Sequence, residues 1–286
     1  MSMLKDNTYR QHEGINSNYA DAQVVMFGVP FDGTASFRPG TRFGPGAVRQ
    51  ALDGLETFSP YQKKDMADYL FCDLGDMELP FGNKEAVIEL VKKDTAQFLQ
   101  DGKKALALGG EHLVSLPVII EYIRRFPDLQ VIHLDAHADL RDDYLGEKLS
   151  HATVMRRVYD ELLPGALWQY GIRSGTREEF EFGKTKTNFV PFTLEGIENA
   201  VTAIGQRPVY LSLDLDILDP SVLPGTGTPE PGGVDFRELL SALLKLKHLN
   251  MVGADIVELS PHYDQSGVST AVACKLVREL LLLMVD

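Results

Sequence analysis

The sequence predicts an α/β fold built on about eight parallel strands. Two observations carry this prediction: short apolar runs of strand length alternate with segments of helical periodicity, and the runs themselves are nearly unbroken. Alternation of strand and helix is typical of parallel strands joined by crossover helices. Unbroken apolar runs indicate strands that are buried on both faces.

The predicted elements follow one another along the whole chain. The strands are Val24–Val29, Tyr69–Leu74, Ala105–Leu108, Val131–Leu134, Leu167–Gly171, Phe189–Phe192, Val209–Leu215 and Val252–Val257. The helices are Glu85–Leu99, Val114–Arg125, Val154–Leu163, Phe236–Leu246 and Thr270–Leu283. A closed barrel and an open sheet both fit this pattern, and in either architecture functional residues gather at the carboxyl ends of the strands.

The chain of 286 residues suits one large domain, which we assign to residues 21–286. The first twenty residues are polar and aperiodic, and they are predicted to form an arm on the surface or on a neighbouring subunit. They contain no apolar core, so we expect no signal peptide. The longest apolar run near the end, Leu280–Val285, is too short to span a bilayer, so we expect no membrane association.

Charge and cysteine usage limit the classes of function. A net charge of −13 argues against nucleic acid as a partner and is compatible with a cationic substrate. Cys72 and Cys274 lie far apart and form no CxxC pattern, so they cannot build a disulfide framework. Their number and spacing predict a cytoplasmic protein.

Groups of the kind that bind metals close one predicted strand. The run Val131–Leu134 leads directly into Asp135, His137 and Asp139, which are spaced by two residues. Side chains at i, i+2 and i+4 of an extended chain point the same way, so these three groups should converge on one spot.

Two other strand ends add further groups of this kind. Asp214 and Asp216 are again spaced by two, and His112 follows the glycine pair Gly109 and Gly110, which allows a tight turn. A single strand-end aspartate commonly caps a helix or begins a turn. The whole set cannot be explained in that way, because the clustered groups would repel one another unless a cation neutralised them.

The ligand chemistry indicates two metal ions rather than one. Four aspartates and two histidines are too many for one tetrahedral zinc, and no cysteine joins them. Hard oxygen donors with some imidazole suit manganese. Two ions sharing a carboxylate, roughly 3.5–4 Å apart, would ionise a water between them near neutral pH.

The chain resembles the ureohydrolases, the family of arginase and agmatinase. The motifs that carry the resemblance are Gly28–Asp32, Arg38–Pro45, Gly109–His112, Asp135–Asp139, Ser150–His151, Ser212–Asp216, Gly225–Gly233 and Asp255–Pro261. They occur in order and cover nearly the whole chain. The resemblance implies a three-layer α/β/α sandwich around a parallel sheet of about eight strands, not a barrel.

The resemblance also implies two Mn²⁺ ions per subunit, held by two overlapping sets of ligands. One ion would be bound by His112, Asp135, Asp139 and Asp214, and the other by Asp135, His137, Asp214 and Asp216. Asp135 and Asp214 would bridge the two ions.

Three residues are assigned to catalysis. Glu258 matches the glutamate that in this family binds the guanidinium group of the substrate. His151 matches the histidine that transfers protons near the mouth of the site. Without the resemblance, His151 would be interpreted as a surface helix residue. Asp139 can take the proton of the nucleophile and pass it to the departing amine. His133, deeper in its strand than Asp135, is interpreted as a hydrogen-bonded core histidine.

The loop after Asp139 bears on the choice of guanidino substrate. Arginases hold an α-carboxylate and an α-amino group there with amide and hydroxyl side chains, which residues 140–146 lack. Asp142 and Asp143 would favour a second positive charge, as on agmatine, whereas Arg141 leaves guanidinobutyrate open. The sequence therefore predicts hydrolysis of agmatine to putrescine and urea, with guanidinobutyrate and arginine as alternatives.

A function of another class is a catalytically silent relative that serves as an oligomeric binding or regulatory protein. Such a relative would have lost a metal ligand, and this chain keeps all six together with His151 and Glu258. The resemblance implies a homotrimer or a homohexamer.

Overall fold

A computed structural model describes residues 12–285. The prediction of an arm therefore lies outside the described residues over positions 1–11. Within the described part of the arm, Ile15 is fully buried, and the backbone N–H of Ser17 donates to the carbonyl of Phe71. Residues 15–17 are thus packed against the body of the protein.

The centre of the fold is a parallel sheet of eight strands, and all eight predicted strands are confirmed to within two residues. The strands are β1 Val24–Val29, β4 Phe71–Asp76, β5 Lys104–Gly109, β6 Gln130–Leu134, β7 Leu167–Ile172, β8 Asn188–Pro191, β9 Pro208–Asp214 and β10 Asn250–Val257. A separate small hairpin consists of β2 Phe58–Ser59 and β3 Lys64–Asp65. The spatial order of the sheet is β4-β1-β5-β10-β9-β6-β7-β8, with open edges, so the architecture is an open sheet.

Helices pack on both faces of the sheet and give the predicted three-layer sandwich. They are α1 Gly44–Leu52, α2 Lys84–Gln100, α3 Ser115–Arg125, α4 Val154–Glu161, α5 Arg177–Lys186, α6 Ile197–Ile204, α7 Phe236–Lys245 and α8 Val268–Leu283. Contacts join α1, α6, α7 and α8 on one side, and α2, α3 and α4 on the other. The five predicted helices are confirmed, and α1, α5 and α6 are additional.

Local features of the sequence explain why helices α1 and α5 are not predicted. The helix α1 begins with Gly44 and Pro45, which resemble a turn in the sequence although proline fits the first turn of a helix. In α5 the signal lies in a capping box, where the Thr176 hydroxyl accepts from the Glu179 N–H and the Glu179 carboxylate accepts from the Thr176 N–H. Its apolar stripe is too short to show periodicity.

Two hydrophobic clusters lie on opposite faces of the sheet. In β1, Val24 and Met26 belong to one cluster, and Val25 and Phe27 belong to the other, as strand alternation requires. Cys72 and Cys274 are buried, free and in different clusters. Among residues 12–285, no helix combines the length and the apolar character needed to cross a membrane.

Four central neighbours of the sheet, β5, β10, β9 and β6, carry the predicted site at their carboxyl ends. They are distant along the chain and adjacent in space, with Leu134 of β6 opposite Leu213 of β9, and Asp214 opposite Val257 of β10. Because parallel strands end at the same edge, the groups that follow them are brought together.

Candidate active site

One histidine lies in the middle of three carboxylates. The Nδ1 atom of His112 is 3.1 Å from Asp135, 3.2 Å from Asp139 and 3.1 Å from Asp214, measured in each case to the Oδ2 atom. All four side chains are nearly inaccessible to solvent. The first predicted set of metal ligands is therefore assembled around a single point.

The other side of the His112 ring is held by a chain of hydrogen bonds. His112 Nε2 lies 2.9 Å from Ser212 Oγ, and this hydroxyl donates to Asp255 Oδ1 at 2.8 Å. Tyr210 donates to the second oxygen of Asp255 at 2.9 Å. Since the Ser212 hydroxyl gives its hydrogen to Asp255, it accepts from His112 Nε2–H, and the lone pair of Nδ1 points at the carboxylates.

The second predicted set of ligands lies beside the first. His137 Nδ1 is 2.9 Å from Asp216 Oδ2 and 3.6 Å from Asp135 Oδ1. The N–H of Asp216 donates to Asp214 Oδ1 at 2.9 Å, and the N–H of Ala136 donates to Asp216 Oδ1 at 3.2 Å. Backbone donors thus fix the carboxylates while leaving other oxygens free for a cation.

The donor set fits divalent cations. His112 Nδ1 is fully buried and has no hydrogen-bond partner among residues 12–285, although three carboxylate oxygens surround it. Burial together with the neighbours Asp216 and Asp135 raises the pKa of Asp214 well above its ordinary value. Burial opposes protonation of His112, but the adjacent carboxylates of Asp135, Asp139 and Asp214 raise its pKa well above the usual range. A bound cation would relieve both conditions.

His133 is a hydrogen-bonded core histidine, as the sequence predicts. Its Nε2 atom lies 2.7 Å from Asp135 Oδ2, and its Nδ1 atom lies 3.0 Å from Gln169 Nε2, so both ring nitrogens have partners. His133 is fully buried behind Asp135. It orients that carboxylate rather than offering a free ligand atom.

Two predicted site residues have a strained backbone. Asp139 has φ +53° and Glu258 has φ +66°, in the left-handed region that residues other than glycine rarely adopt. Such conformations cost on the order of 1–3 kcal/mol and tend to occur at functional sites. The sequence does not reveal them, because neither residue is a glycine.

Glu258 lies at the end of β10, where its Oε1 accepts from the backbone N–H of His112 at 2.7 Å. The backbone N–H of Glu258 donates to the carbonyl of Gly110 at 2.9 Å. Burial, with Glu111 and Asp216 nearby, raises the pKa of Glu258 well above its ordinary value. A buried carboxylate with this surplus of negative neighbours is suited to a cationic ligand.

A cavity of about 290 Å³ opens onto these groups. Its walls include predicted metal ligands, Glu258 and a rim of polar residues. The lining residues are Ser36, His112, His137, Asp139, Arg141, Tyr144, His151, Ala152, Ser174, Gly175, Thr176, Glu179, Asp214, Asp216, Thr228 and Glu258. His151 thus shares the cavity with Asp139 and the metal-binding groups. Burial lowers the pKa of His151 despite the opposing charge of Asp139, so the imidazole is neutral at neutral pH.

The acidic pair that was predicted to select the substrate is not on the cavity wall. Asp142 is exposed and forms an ion pair of 2.6 Å with Arg157, and Asp143 accepts from the N–H of Gly146. That prediction is wrong, because the loop turns both carboxylates away from the cavity. The rim carries instead Arg141 and Glu179, whose Nε and Oε2 atoms are 3.3 Å apart.

Several contributing residues were not identified from the sequence. A signal existed for Asp255, a carboxylate within an otherwise apolar strand. Glu179 and Glu111 carried no such signal, because a helix N-terminus and a loop accommodate acids routinely. Burial raises the pKa of both, that of Glu111 to about 7 against opposing hydrogen bonds from Thr34.

Comparison with known proteins gives one consistent family. The model of the arginase family matches residues 22–283. The agmatinase of Bacillus anthracis is 43% identical, over 98% of this chain and 99% of its own length. Among solved structures, a candidate agmatinase from Clostridium difficile superposes with a TM-score of 0.92 at 46% identity, covering 93% of this chain and 98% of that one. The agmatine ureohydrolase of Thermoplasma volcanium gives a TM-score of 0.87 at 34% identity, covering 97% and 94%.

Proposed function

This chain belongs to the arginase family of hydrolases, and we propose that it cleaves agmatine to putrescine and urea with the help of two Mn²⁺ ions. The family assignment comes from the match of nearly the whole chain. The substrate rests on the names of its relatives, and the reaction rests on the cavity described above.

The observation that carries the proposal is the surplus of negative charge at the floor of the cavity. Five carboxylates meet three imidazoles there, and the carboxylates are Asp135, Asp139, Asp214, Asp216 and Glu258. Two divalent cations and one guanidinium would balance this charge. A site built to hold a neutral or anionic substrate would not need the fifth carboxylate.

His112, His137 and the four aspartates would hold the two ions, because oxygen and imidazole donors without thiolate suit manganese. Asp135 lies between the two histidines, and Asp135 and Asp214 would be shared. When bound, the ions supply a water that ionises near neutral pH and positive charge for the developing anion.

The side chains of the cavity perform the remaining tasks. Glu258 binds the guanidinium and orients its carbon towards the floor of the cavity. Asp139 takes a proton from the attacking water and delivers it to the departing nitrogen, which leaves as the neutral amine. The amine then takes up the second proton of the water, which the new urea oxygen loses, and becomes an ammonium ion. The guanidinium and one water become urea and an ammonium ion, so no proton is gained or lost overall. His151, at the rim, exchanges protons with solvent.

A second substrate class is favoured by one observation. Arg141 lies on the cavity wall, whereas Asp142 and Asp143 do not, so the rim offers a positive charge for the carboxylate of guanidinobutyrate. The carboxylate of Glu179 neutralises the charge of Arg141 in this ion pair, so the rim can also accept the ammonium group of agmatine. Agmatine remains the proposed substrate because of the named relatives.

Urea release from agmatine, guanidinobutyrate and arginine, each with added Mn²⁺, tests the proposal. We expect kcat/KM for agmatine to exceed that for arginine by about a hundredfold or more, since Arg141 is already paired with Glu179 and a carboxylate left without a free cation costs a few kcal/mol. A preference for arginine or guanidinobutyrate would overturn the choice of agmatine. Absence of urea from every guanidine would leave the silent relative as the better explanation.

Arg141→Met separates the two substrate classes. The substitution removes the positive charge and keeps an unbranched side chain, so the ratio of kcat/KM for agmatine over guanidinobutyrate should rise by about tenfold. Asp143→Asn, outside the cavity lining, serves as the control and should leave the ratio unchanged. An unchanged ratio in Arg141→Met would exclude a role of this rim charge in substrate selection.

We also propose that residues 21–286 form one catalytic domain, that the protein works in the cytoplasm, and that it assembles as a homotrimer or homohexamer. The buried free cysteines support a reducing compartment. Exposed aromatic side chains, among them Phe37 and Phe81, support association with further copies. Light scattering of the purified protein would measure the subunit number.

A further inference from the structure

The hydroxyl of Thr34 contacts both a buried carboxylate and the histidine at the rim. Thr34 lies in the loop 30–40 between β1 and α1, and its Oγ1 atom lies 2.5 Å from Glu111 Oε1. The same oxygen accepts from the backbone N–H of His151 at 3.2 Å and lies 3.4 Å from His151 Nδ1. One hydroxyl therefore holds His151 at two points.

The loop that carries Thr34 is fixed at its base. Asp32 is buried and accepts from the N–H of Gly40 at 2.8 Å, which joins the two ends of the loop. The N–H of Glu111 donates to the carbonyl of Phe31 at 2.8 Å. The N–H of Thr34 donates to Glu111 Oε2 at 2.9 Å, so the carboxylate holds Thr34 by both its backbone and its side chain.

The donors and acceptors of these groups determine which nitrogen of the neutral His151 imidazole carries the hydrogen. A threonine hydroxyl has one hydrogen and accepts through its lone pairs. The Thr34 hydroxyl donates its hydrogen to the Glu111 carboxylate, which also accepts the Thr34 N–H. Towards His151, Oγ1 can then only accept, so Nδ1 must carry the hydrogen in the neutral ring.

The second ring nitrogen is consequently the basic one, and it faces the open side. His151 Nε2 lies 3.2 Å from Ser36 Oγ, and both residues line the cavity. Ser36 is exposed, so its hydroxyl can donate to Nε2 and can give way to a water or to the substrate. The ring of Tyr144 stands edge-on to the imidazole, with centroids 5.6 Å apart, and limits its rotation.

We propose that Thr34 is a positioning residue that fixes His151 as the Nδ1–H tautomer, so that Nε2 is the nitrogen that exchanges protons in the cavity. In each exchange Nε2 gains a proton to give the imidazolium and then releases it, while the hydrogen on Nδ1 stays in place. The catalytic part of this inference rests on the proposed function, and the tautomer itself does not.

Nitrogen NMR of the full chain, labelled with ¹⁵N-histidine, measures the tautomer directly. The protein is loaded with diamagnetic Zn²⁺, because Mn²⁺ would broaden the signals, and His151 is assigned by the signals lost in His151→Asn. Spectra are recorded at about pH 8.5, where carboxyl groups are ionised and imidazoles are neutral. Wild-type protein should show hydrogen on Nδ1 only.

The variants separate the hydroxyl from the shape of the side chain. Thr34→Ser keeps the hydroxyl and should keep the Nδ1–H tautomer, whereas Thr34→Val keeps the branched shape and should show a population with hydrogen on Nε2. Thr34→Ala is a second hydroxyl-free variant with the same expected result, should the valine variant fold poorly. Ser36→Ala, which alters the contact at the other nitrogen, should keep Nδ1–H.

Kinetics with agmatine and Mn²⁺ then test the catalytic consequence. Thr34→Val should lower kcat by about tenfold with KM changed less than about twofold, because proton transfer rather than binding is impaired. Thr34→Ser should restore kcat to within about threefold of wild type. Comparable kcat in Thr34→Val and wild type would overturn the positioning role.

The two proposals fail in different ways. Hydrogen on Nε2 in the wild-type protein, or an unchanged tautomer in both hydroxyl-free variants, would overturn the inference about Thr34 even if agmatine is hydrolysed. The expected tautomers without urea release from any guanidine would support the placement of His151 by Thr34 and overturn the proposed function.

Discussion

Two regions of the molecule bury charge, and they balance it differently. At the edge of the sheet, Arg49 is buried with Asp73, and its Nε and Nη2 atoms donate to the two carboxylate oxygens at 2.7 and 2.8 Å. Asp76 accepts from a third guanidinium nitrogen, and His12 Nδ1 lies 3.0 Å from Asp53. This edge network supplies its own cations. The central cluster around His112 instead gathers five carboxylates against three imidazoles, those of His112, His133 and His137.

The difference distinguishes a structural network from a binding site. In the edge network each strong acceptor meets a donor of the same chain, so burial is compensated on folding. In the central cluster the buried carboxylates outnumber the imidazoles, and the pKa of Asp214 is raised by burial and by its acidic neighbours. Buried charge that the chain leaves unbalanced indicates a ligand that balances it.

Removal of divalent cations should have the largest effect of all. Chelation followed by dialysis should abolish urea release, and Mn²⁺ should restore it best among divalent ions, because the central cluster depends on external cations. Chelated protein should also melt at a lower temperature, and Mn²⁺ should raise the Tm in a concentration-dependent manner. Full activity of metal-stripped protein would refute the two-ion site.

Asp139→Asn should have the second largest effect. The substitution removes a charge from the central cluster and the proposed proton carrier, so kcat for agmatine should fall by about a hundredfold or more. The fold should be retained, as judged by circular dichroism. Asp128→Asn, an exposed aspartate remote from the cavity, is the matched control. If the loss of kcat were less than about tenfold, the role given to Asp139 would be wrong.

Arg49→Met should lower the stability of the protein and leave its response to Mn²⁺ unchanged. The substitution leaves Asp73 buried without its cation, which costs about 3–5 kcal/mol in the free energy of unfolding. Urea-induced denaturation measures the loss, and the rise of Tm with Mn²⁺ should remain that of the wild type. If Arg49→Met instead weakened the response to Mn²⁺ while leaving stability intact, the two regions would not be independent.

A small pH effect should be confined to the edge network. Hydrogen bonds to Asp73 and Asp53 raise the pKa of His12, although its burial opposes protonation. The stabilisation is therefore complete below the ordinary histidine pKa of about 6.5 and is lost as the pH rises through the raised value. Between pH 6 and 9, wild-type protein should lose more stability than His12→Phe. Equal losses would show that His12 is not charged in the folded protein.

Much of the fold could be predicted because its signals are local. The eight strands are short apolar runs, and the confirmed helices have an apolar stripe that is long enough for its periodicity to be recognised in the sequence. The helix α1 escaped prediction because Gly44 and Pro45 signal a turn, and only packing against α8 shows that a helix begins there. Spacing alone predicted that Asp135, His137 and Asp139 would converge.

The sequence by itself determined the sheet, the residues at its carboxyl edge and the family, because these depend on residue type and spacing. The tertiary structure decided which strand ends are neighbours, the left-handed backbone of Asp139 and Glu258, and the contact of Thr34 with His151 across 117 positions of the chain. It also turned Asp142 away from the cavity and placed Arg141 on its wall. Such directions depend on contacts between distant segments, and no local pattern records them.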